Sequence, residues 1–319
     1  MSASGRSSWV GPGVLLVLAT AFISGLSTFV NAYAVHGINS NAFVTVRNVV
    51  VALAFLPVAL FATRSLRAPA LRPVDWGRLV AIGLIGGAVP FLLFFYGLQL
   101  ATAAGGAATA SFGYRTLFLW ATVFGVVYLH ERFHWRVALG AALLLGGSLL
   151  MLSLTSPIWT NGTAYVLAAT VMWAAEYTIS KRTLRDLPSA TVVLGRMGFG
   201  SMFLVGYLAF TTQWTQVAKF TGAQWEWVGI SAAFLIAFVA CFYPGLKRVD
   251  LGVASSALVL GFPVTWILSV LVQGSSFTLV QAAGVLAVVA GVGVVFGLAQ
   301  LKEASSFLSR LARPQGDLA

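Results

Sequence analysis

Ten apolar runs, each long enough to cross a bilayer, follow one another with short loops between them. A hydrocarbon layer about 30 Å thick is spanned by about 20 helical residues at about 1.5 Å each. Only helices and closed barrels can bond all their backbone N–H and C=O groups in that setting. The runs lie near 13–35, 40–63, 77–99, 103–129, 136–154, 163–181, 188–211, 227–246, 251–272 and 277–300. They predict an all-α membrane protein with ten transmembrane helices. The first run is full length and is followed by nine more, so it reads as a span and not as a cleavable signal.

The loops carry a second signal. With the N-terminus inside, the inner tails and loops collect Arg6, Arg64, Arg67, Arg72, Arg78, Arg132, Arg136, Lys181, Arg182, Arg185, Lys247, Arg248, Lys302, Arg310 and Arg313, and the outer loops hold only Lys219. Cytoplasmic loops are rich in Lys and Arg, so this bias predicts a multi-pass protein of the plasma (inner) membrane with both termini cytoplasmic. The formal charge of +11 then reflects inner-loop arginines facing anionic headgroups, and it calls for a lipid bilayer, not nucleic acid, as partner. Only 8% of residues are charged, against about 25% in a soluble domain. Trp9, Trp76, Trp135, Trp159, Trp214, Trp225 and Trp227 fall near predicted helix ends, where an interfacial belt would place them. Cys241 is the sole cysteine, which leaves no disulfide and no cysteine cluster for a metal. No cofactor is expected.

The runs read as two copies of one five-helix unit. At an offset of 149 residues, Arg47 falls on Arg196, Trp76 on Trp225, Gly13 on Gly162, Ser40 on Ser189 and Gly125 on Gly274. Arg and Trp are rare enough in so apolar a chain for these matches to carry weight. The register then slips by about five residues in the last loop, where Gly140 corresponds to Gly284. An odd number of spans per unit inverts the second copy relative to the first. The expected organisation is a cytoplasmic tail at 1–12, a first repeat at 13–154, an inverted second repeat at 162–300 and a cytoplasmic tail at 301–319, both tails polar and disordered. Two inverted five-helix repeats around a midplane site are a recurrent plan of secondary transporters.

The residues resemble the EamA-type family of the drug/metabolite transporter superfamily over roughly 13–300. Three features carry the resemblance: the five-plus-five layout, an Arg early in the second helix of each repeat (Arg47, Arg196), and Leu129-His130-Glu131-Arg132 followed by Gly140, which is similar to the family's Leu-Gly-Glu-Arg signature. Trp173 also stands where the family often has tryptophan. Ser24 replaces the symmetric tryptophan, and the fourth helix lacks the midhelix proline that the ninth keeps as Pro263. The resemblance implies export of a small metabolite through a cavity lined by helices one, three, four, six, eight and nine. Helices five and ten are left as structural elements and as a homodimer surface.

Arg115 and Glu176 are the most unusual residues, because a charge at the centre of a span costs at least about 2.5–3.5 kcal/mol. Counting about 1.5 Å per residue puts both near the midplane. As an ion pair they would lock two helices together. As a substrate site, Arg115 would take a carboxylate and Glu176 an ammonium, which suits an amino acid or related zwitterion. Glu176 alone would suit a drug-like organic cation or a coupling proton. Trp173 shares a helix face with Glu176, with Tyr177 adjacent, and Phe112 shares one with Arg115. Ser27 is the repeat mate of Glu176, and Tyr96 and Tyr243 occupy equivalent parts of helices three and eight. Arg47 and Arg196 read as structural, snorkelling to an interface or holding helix-end carbonyls, with gating as the minority role.

One motif points elsewhere. His130-Glu131-Arg132-Phe133-His134 matches the H-E-x-x-H pattern of zinc proteases. That chemistry needs both histidines on one helix face and a third ligand, and the pentad straddles a helix end. The leading expectation is therefore no enzyme and no metal, but a secondary transporter of a small organic solute, with the organic-cation exporter and the membrane zinc metalloprotease as alternatives.

Overall fold

The computed structural model describes residues 3–34, 38–65, 71–104, 112–133, 135–152, 159–274 and 278–311, and the regular structure among them is entirely helical. In order, the helices are α1 (Ala3–Ala34), α2 (Ser40–Ser65), α3 (Pro73–Ile82), α4 (Val89–Ala103), α5 (Leu117–Leu129), α6 (Trp135–Leu150) and α7 (Asn161–Thr183). There follow α8 (Ser189–Phe210), α9 (Trp214–Ala218), α10 (Gly222–Arg248), α11 (Leu251–Leu258), α12 (Gly261–Gln273) and α13 (Leu279–Leu311). A π-helical segment, Gly83–Ala88, joins α3 to α4 in one continuous span.

Among the described residues, eight helical stretches are long and apolar enough to cross a membrane. Two of the ten expected spans depart from that standard. The apolar α6 has only 16 residues, and α7 has 23 but carries Glu176, Lys181 and Arg182. The expected disordered tails are helical where described: α1 begins at Ala3, and α13 reaches Leu311 past an interruption at Gly297, φ 70°. Trp76, Trp135, Trp159, Trp214 and Trp225 are exposed, in keeping with an interfacial belt.

The fourth and ninth spans break at matching places by different chemistry. Pro263 has no N–H to return to Val259 O, and the helix turns tighter there, Phe262 N–H bonding Val259 O at 3.1 Å. The fourth span has no proline. At Thr116 the side-chain hydroxyl donates to Gly113 O at 2.7 Å and accepts Trp120 Nε1–H at 3.2 Å. The two spans end on left-handed residues, His130 (φ 55°) and Gly274 (φ 65°). The break sites and these caps share one offset, 144 residues, so the register slip lies ahead of the fourth span and not in the last loop. Gly274 therefore matches His130, not Gly125.

Packing is repeated with the two units exchanged. Helix α1 lies along α10 as α4 lies along α7, and α1 meets α12 as α7 meets α5, while α2 pairs with α8 and α6 with α13. The last pair crosses closely. A Cβ on Gly147 would stand 2.6 Å from Gly284 O, so only glycine lets these backbones approach.

One end of the bundle, which carries the basic loops, is closed. Val14, Val17, Leu184, Leu187, Leu246 and Leu251 are buried there in the main apolar core. Polar contacts between the two units seal it further: Arg78 Nη1 meets Asp186 Oδ2 at 3.0 Å, and both oxygens of Glu131 accept Leu251 N–H at 2.9 Å. The Lys181 ammonium donates to Leu246 O at 2.7 Å and also to Val249 O. Burial pushes the Glu131 carboxyl up from its ordinary range, against the pull of the Leu251 N–H.

Candidate functional site

A cavity of about 440 Å³ occupies the centre of the bundle. Its wall draws on α1, α2, α4, the fourth span, α7, α8, α10 and the broken ninth span, whereas α6 and α13 take no part. On α1 the lining runs from Ser24 to Asn31 and on α4 from Phe91 to Leu98, in both cases in the helix half remote from the basic loops.

Of the residues singled out in the sequence, Arg115, Trp173, Tyr177 and Ser27 line the cavity, and so do Arg47 and Arg196. Glu176 does not; it is fully buried behind the wall with Tyr243. Tyr96 is 51% exposed, faces Tyr165 across 5.1 Å and borders a separate cavity of about 300 Å³. Phe112 is absent from the lining.

Glu176 is paired with Arg196 and not with Arg115. Arg196 Nε lies 3.6 Å from Glu176 Oε2, an ion contact longer than a hydrogen bond. The other oxygen, Oε1, accepts from Tyr243 OH at 2.8 Å and from the Ser180 hydroxyl. Arg196 also donates through Nη2 to Gly86 O at 3.2 Å, and Trp173 Nε1–H donates to the same carbonyl at 3.1 Å. That carbonyl lacks its usual donor because the residue four positions on is Pro90, which has no N–H, and it lies within the π-helical segment Gly83–Ala88. Glycine is needed at Gly86, since a Cβ there would fall on the stem of the Glu176 carboxylate. Gly87 O accepts Asn48 Nδ2–H at 3.2 Å.

Among the described residues Arg47 has no such acid. Its Nε and Nη2 both donate to one neutral oxygen, Asn48 Oδ1, at 3.2 and 3.1 Å. Neither Arg47 nor Arg196 snorkels; they are 5% and 3% exposed and flank Phe91, with guanidinium carbons 5.1 and 6.0 Å from the ring centroid. Arg115 lies over the face of Phe262. Among the described residues no carboxylate comes within 4 Å of it, and its buried Nη1 has no hydrogen-bond partner. A second lining group, Asn31 Oδ1, is also buried without a partner.

The walls are aromatic. Phe91, Phe94 and Tyr114 pack on Trp173 with centroids 5.3, 5.5 and 5.5 Å away, mostly edge to face. Small polar groups, Ser24, Ser27, Thr28 and Asn31, face them from α1. The volume and the mixed aromatic and polar lining would suit an amphipathic organic molecule of modest size. Asn31 was legible as a polar residue four positions from Ser27 on one helix face, and Asn31 Nδ2 donates to Ser27 Oγ at 3.0 Å. Phe91, Phe94 and Phe262 had no signal that separates them from the other phenylalanines.

The zinc-protease alternative fails on geometry. His130 is a left-handed helix cap, residues 131–133 are not helical, and the Glu131 carboxylate is occupied by Leu251 N–H. His134 lies outside the described residues. Among those residues no group of three His, Cys, Asp or Glu could hold a metal.

A multi-span helical bundle enclosing a central solute-sized cavity is the plan of a membrane transporter. The model of the EamA-like transporter family matches the chain twice, over residues 11–153 and 160–297, and the protein belongs to that family, within the drug/metabolite transporter superfamily. A solved crystal structure superposes with a TM-score of 0.69 over 92% of this chain and 99% of its own, at 21% identity, a likeness of fold. No curated protein matches the chain.

Proposed function

We propose that this protein is a secondary transporter that exports a small, carboxylate-bearing organic solute across the plasma membrane by alternating access, with both termini cytoplasmic and the second repeat inverted. Amino acids are the leading class. The single observation that carries the reading is the unpartnered Arg115 donor in an aromatic, solute-sized cavity. A guanidinium fork recognises a carboxylate, and the low dielectric of the site strengthens that contact. The closed basic end, taken as cytoplasmic by the Lys and Arg bias, makes this the outward-facing state. Export as the net direction rests on the family resemblance.

The geometry revises how an amino acid would be held. Glu176 is occupied by Arg196, Tyr243 and Ser180, so an ammonium finds its acceptor at Asn31 Oδ1 instead. The same fact weighs against an organic cation using Glu176 as counter-charge. Helices α6 and α13 serve as the scaffold, and their exposed Leu139, Leu149, Leu286 and Val289 form the surface assigned to lipid or a homodimer partner.

Counterflow in proteoliposomes tests the reading. With unlabelled amino acids inside, labelled phenylalanine or threonine should enter, a quaternary ammonium should not, and Arg115→Gln should abolish entry while leaving the protein folded. Entry of the quaternary ammonium alone would overturn the carboxylate assignment.

A further inference from the structure

We infer that the cavity is built for solutes with two anionic groups, a dicarboxylate or an amino acid with an acidic side chain, with Arg47 as the second anchor besides Arg115. The inference rests on the transport reading above and narrows its substrate class. Among the described residues, three guanidinium groups line the cavity and no carboxylate does. One of the three, Arg196, is balanced from behind by Glu176. The other two have no acid within ion-pair distance among the described residues.

Asn48 orients Arg47 without neutralising it. Its Oδ1 takes two guanidinium N–H groups while its Nδ2 is tied to Gly87 O, so the amide supplies direction and no charge. The acid is missing at a definite place. Glu176 has Ser27 as its mate at the 149 offset, and Ser27 lines the cavity with a small neutral side chain. The first repeat thus carries a small neutral side chain at the position where the second repeat carries its acid.

Charge balance then selects the ligand. A neutral zwitterion satisfies Arg115 but leaves the site with two net positive charges in a poorly screened interior. A second anionic group directed to Arg47 removes that imbalance in a dicarboxylate and halves it in an acidic amino acid, which keeps its ammonium, with Ser24, Ser27 and Asn31 available to the polar middle of the molecule. Arg47 therefore acts as a specificity-determining residue.

Competition in counterflow separates the outcomes. Glutamate and succinate should displace labelled phenylalanine at concentrations about tenfold lower than unlabelled phenylalanine does. Arg47→Gln should erase that advantage, and Arg47→Lys should keep part of it. Equal potency of all three solutes in the wild-type protein would overturn the two-anion inference while the transport reading stood, whether or not Arg47→Gln folds. Exchange of none of them would sink the transport of carboxylates and the inference together.

Discussion

Arg47 and Arg196 occupy the same position in the two repeats and meet opposite surroundings. Arg196 has a buried carboxylate behind it and a π-turn carbonyl beside it; Arg47 has an amide. On α7 the residues facing this region are Trp173, Glu176, Tyr177 and Ser180, whereas α1 offers Ser24, Ser27, Thr28 and Asn31. The second repeat therefore fills and neutralises its half of the centre, and the first repeat leaves space and charge. Duplication supplied one scaffold twice, and divergence of a few side chains gave the two arginines different partners.

The sharpest way to break the comparison is to remove the balancing acid. Glu176→Gln strands Arg196 in the core and should cost about 3–5 kcal/mol, read as a lower unfolding midpoint in detergent, with Arg196→Gln in the same chain recovering much of the loss. Arg47→Gln should cost far less stability, because its partner is neutral, while removing selectivity for acidic solutes. Next comes Gly86→Ala, whose Cβ meets the Glu176 stem. Overpacking of this kind costs about 1–3 kcal/mol, and it should impair transport by displacing the carboxylate from Arg196. Ser27→Glu sharpens the comparison from the other side: it gives Arg47 the acid that Arg196 already has, so binding of acidic solutes should weaken about tenfold, or about 1.4 kcal/mol by equilibrium dialysis.

The smallest effect concerns the other mated pair, His130 and Gly274, which both cap helices with positive φ. Glycine adopts that conformation at no steric cost, so His130→Gly should stabilise the protein by up to about 1 kcal/mol in detergent unfolding. Gly274→His should have the opposite sign. At the same loop, Glu131 holds its proton more tightly when folded than when unfolded, so its contribution to stability falls as pH rises from the ordinary carboxylate range to the raised one. Glu131→Gln should flatten that slope.

The all-helical multi-span plan, the doubling of the unit and four of the eight candidate binding residues, Ser27, Arg115, Trp173 and Tyr177, were legible in the chain. Apolar length fixes where a helix crosses, and the matched Arg and Trp positions fix the duplication. Depth follows from the rise per residue, which is why Arg115 and Glu176 were both placed near the midplane. Depth does not give azimuth: Glu176 points away from the cavity toward Arg196, and Arg115 points at Phe262. The π-helical turn was hidden for the same reason, since an apolar run reads alike with or without one extra residue, but Pro90 was a signal that Gly86 O, which holds Arg196 and Trp173, has no N–H four residues on. The H-E-x-x-H match failed because a pattern of letters assumes a continuous helix, and the chain leaves the helix at its first histidine.

The central claim is that the first repeat's arginine meets the solute while the second repeat's is neutralised by its own acid. Counterflow of labelled glutamate in two folded variants tests it most directly: Arg47→Gln, and the charge-balanced double variant Glu176→Gln with Arg196→Gln. Loss of exchange in the first with substantial exchange in the second is the expected result. Full exchange in Arg47→Gln, with none in the double variant, would contradict the claim and place the solute against Arg196 and Glu176.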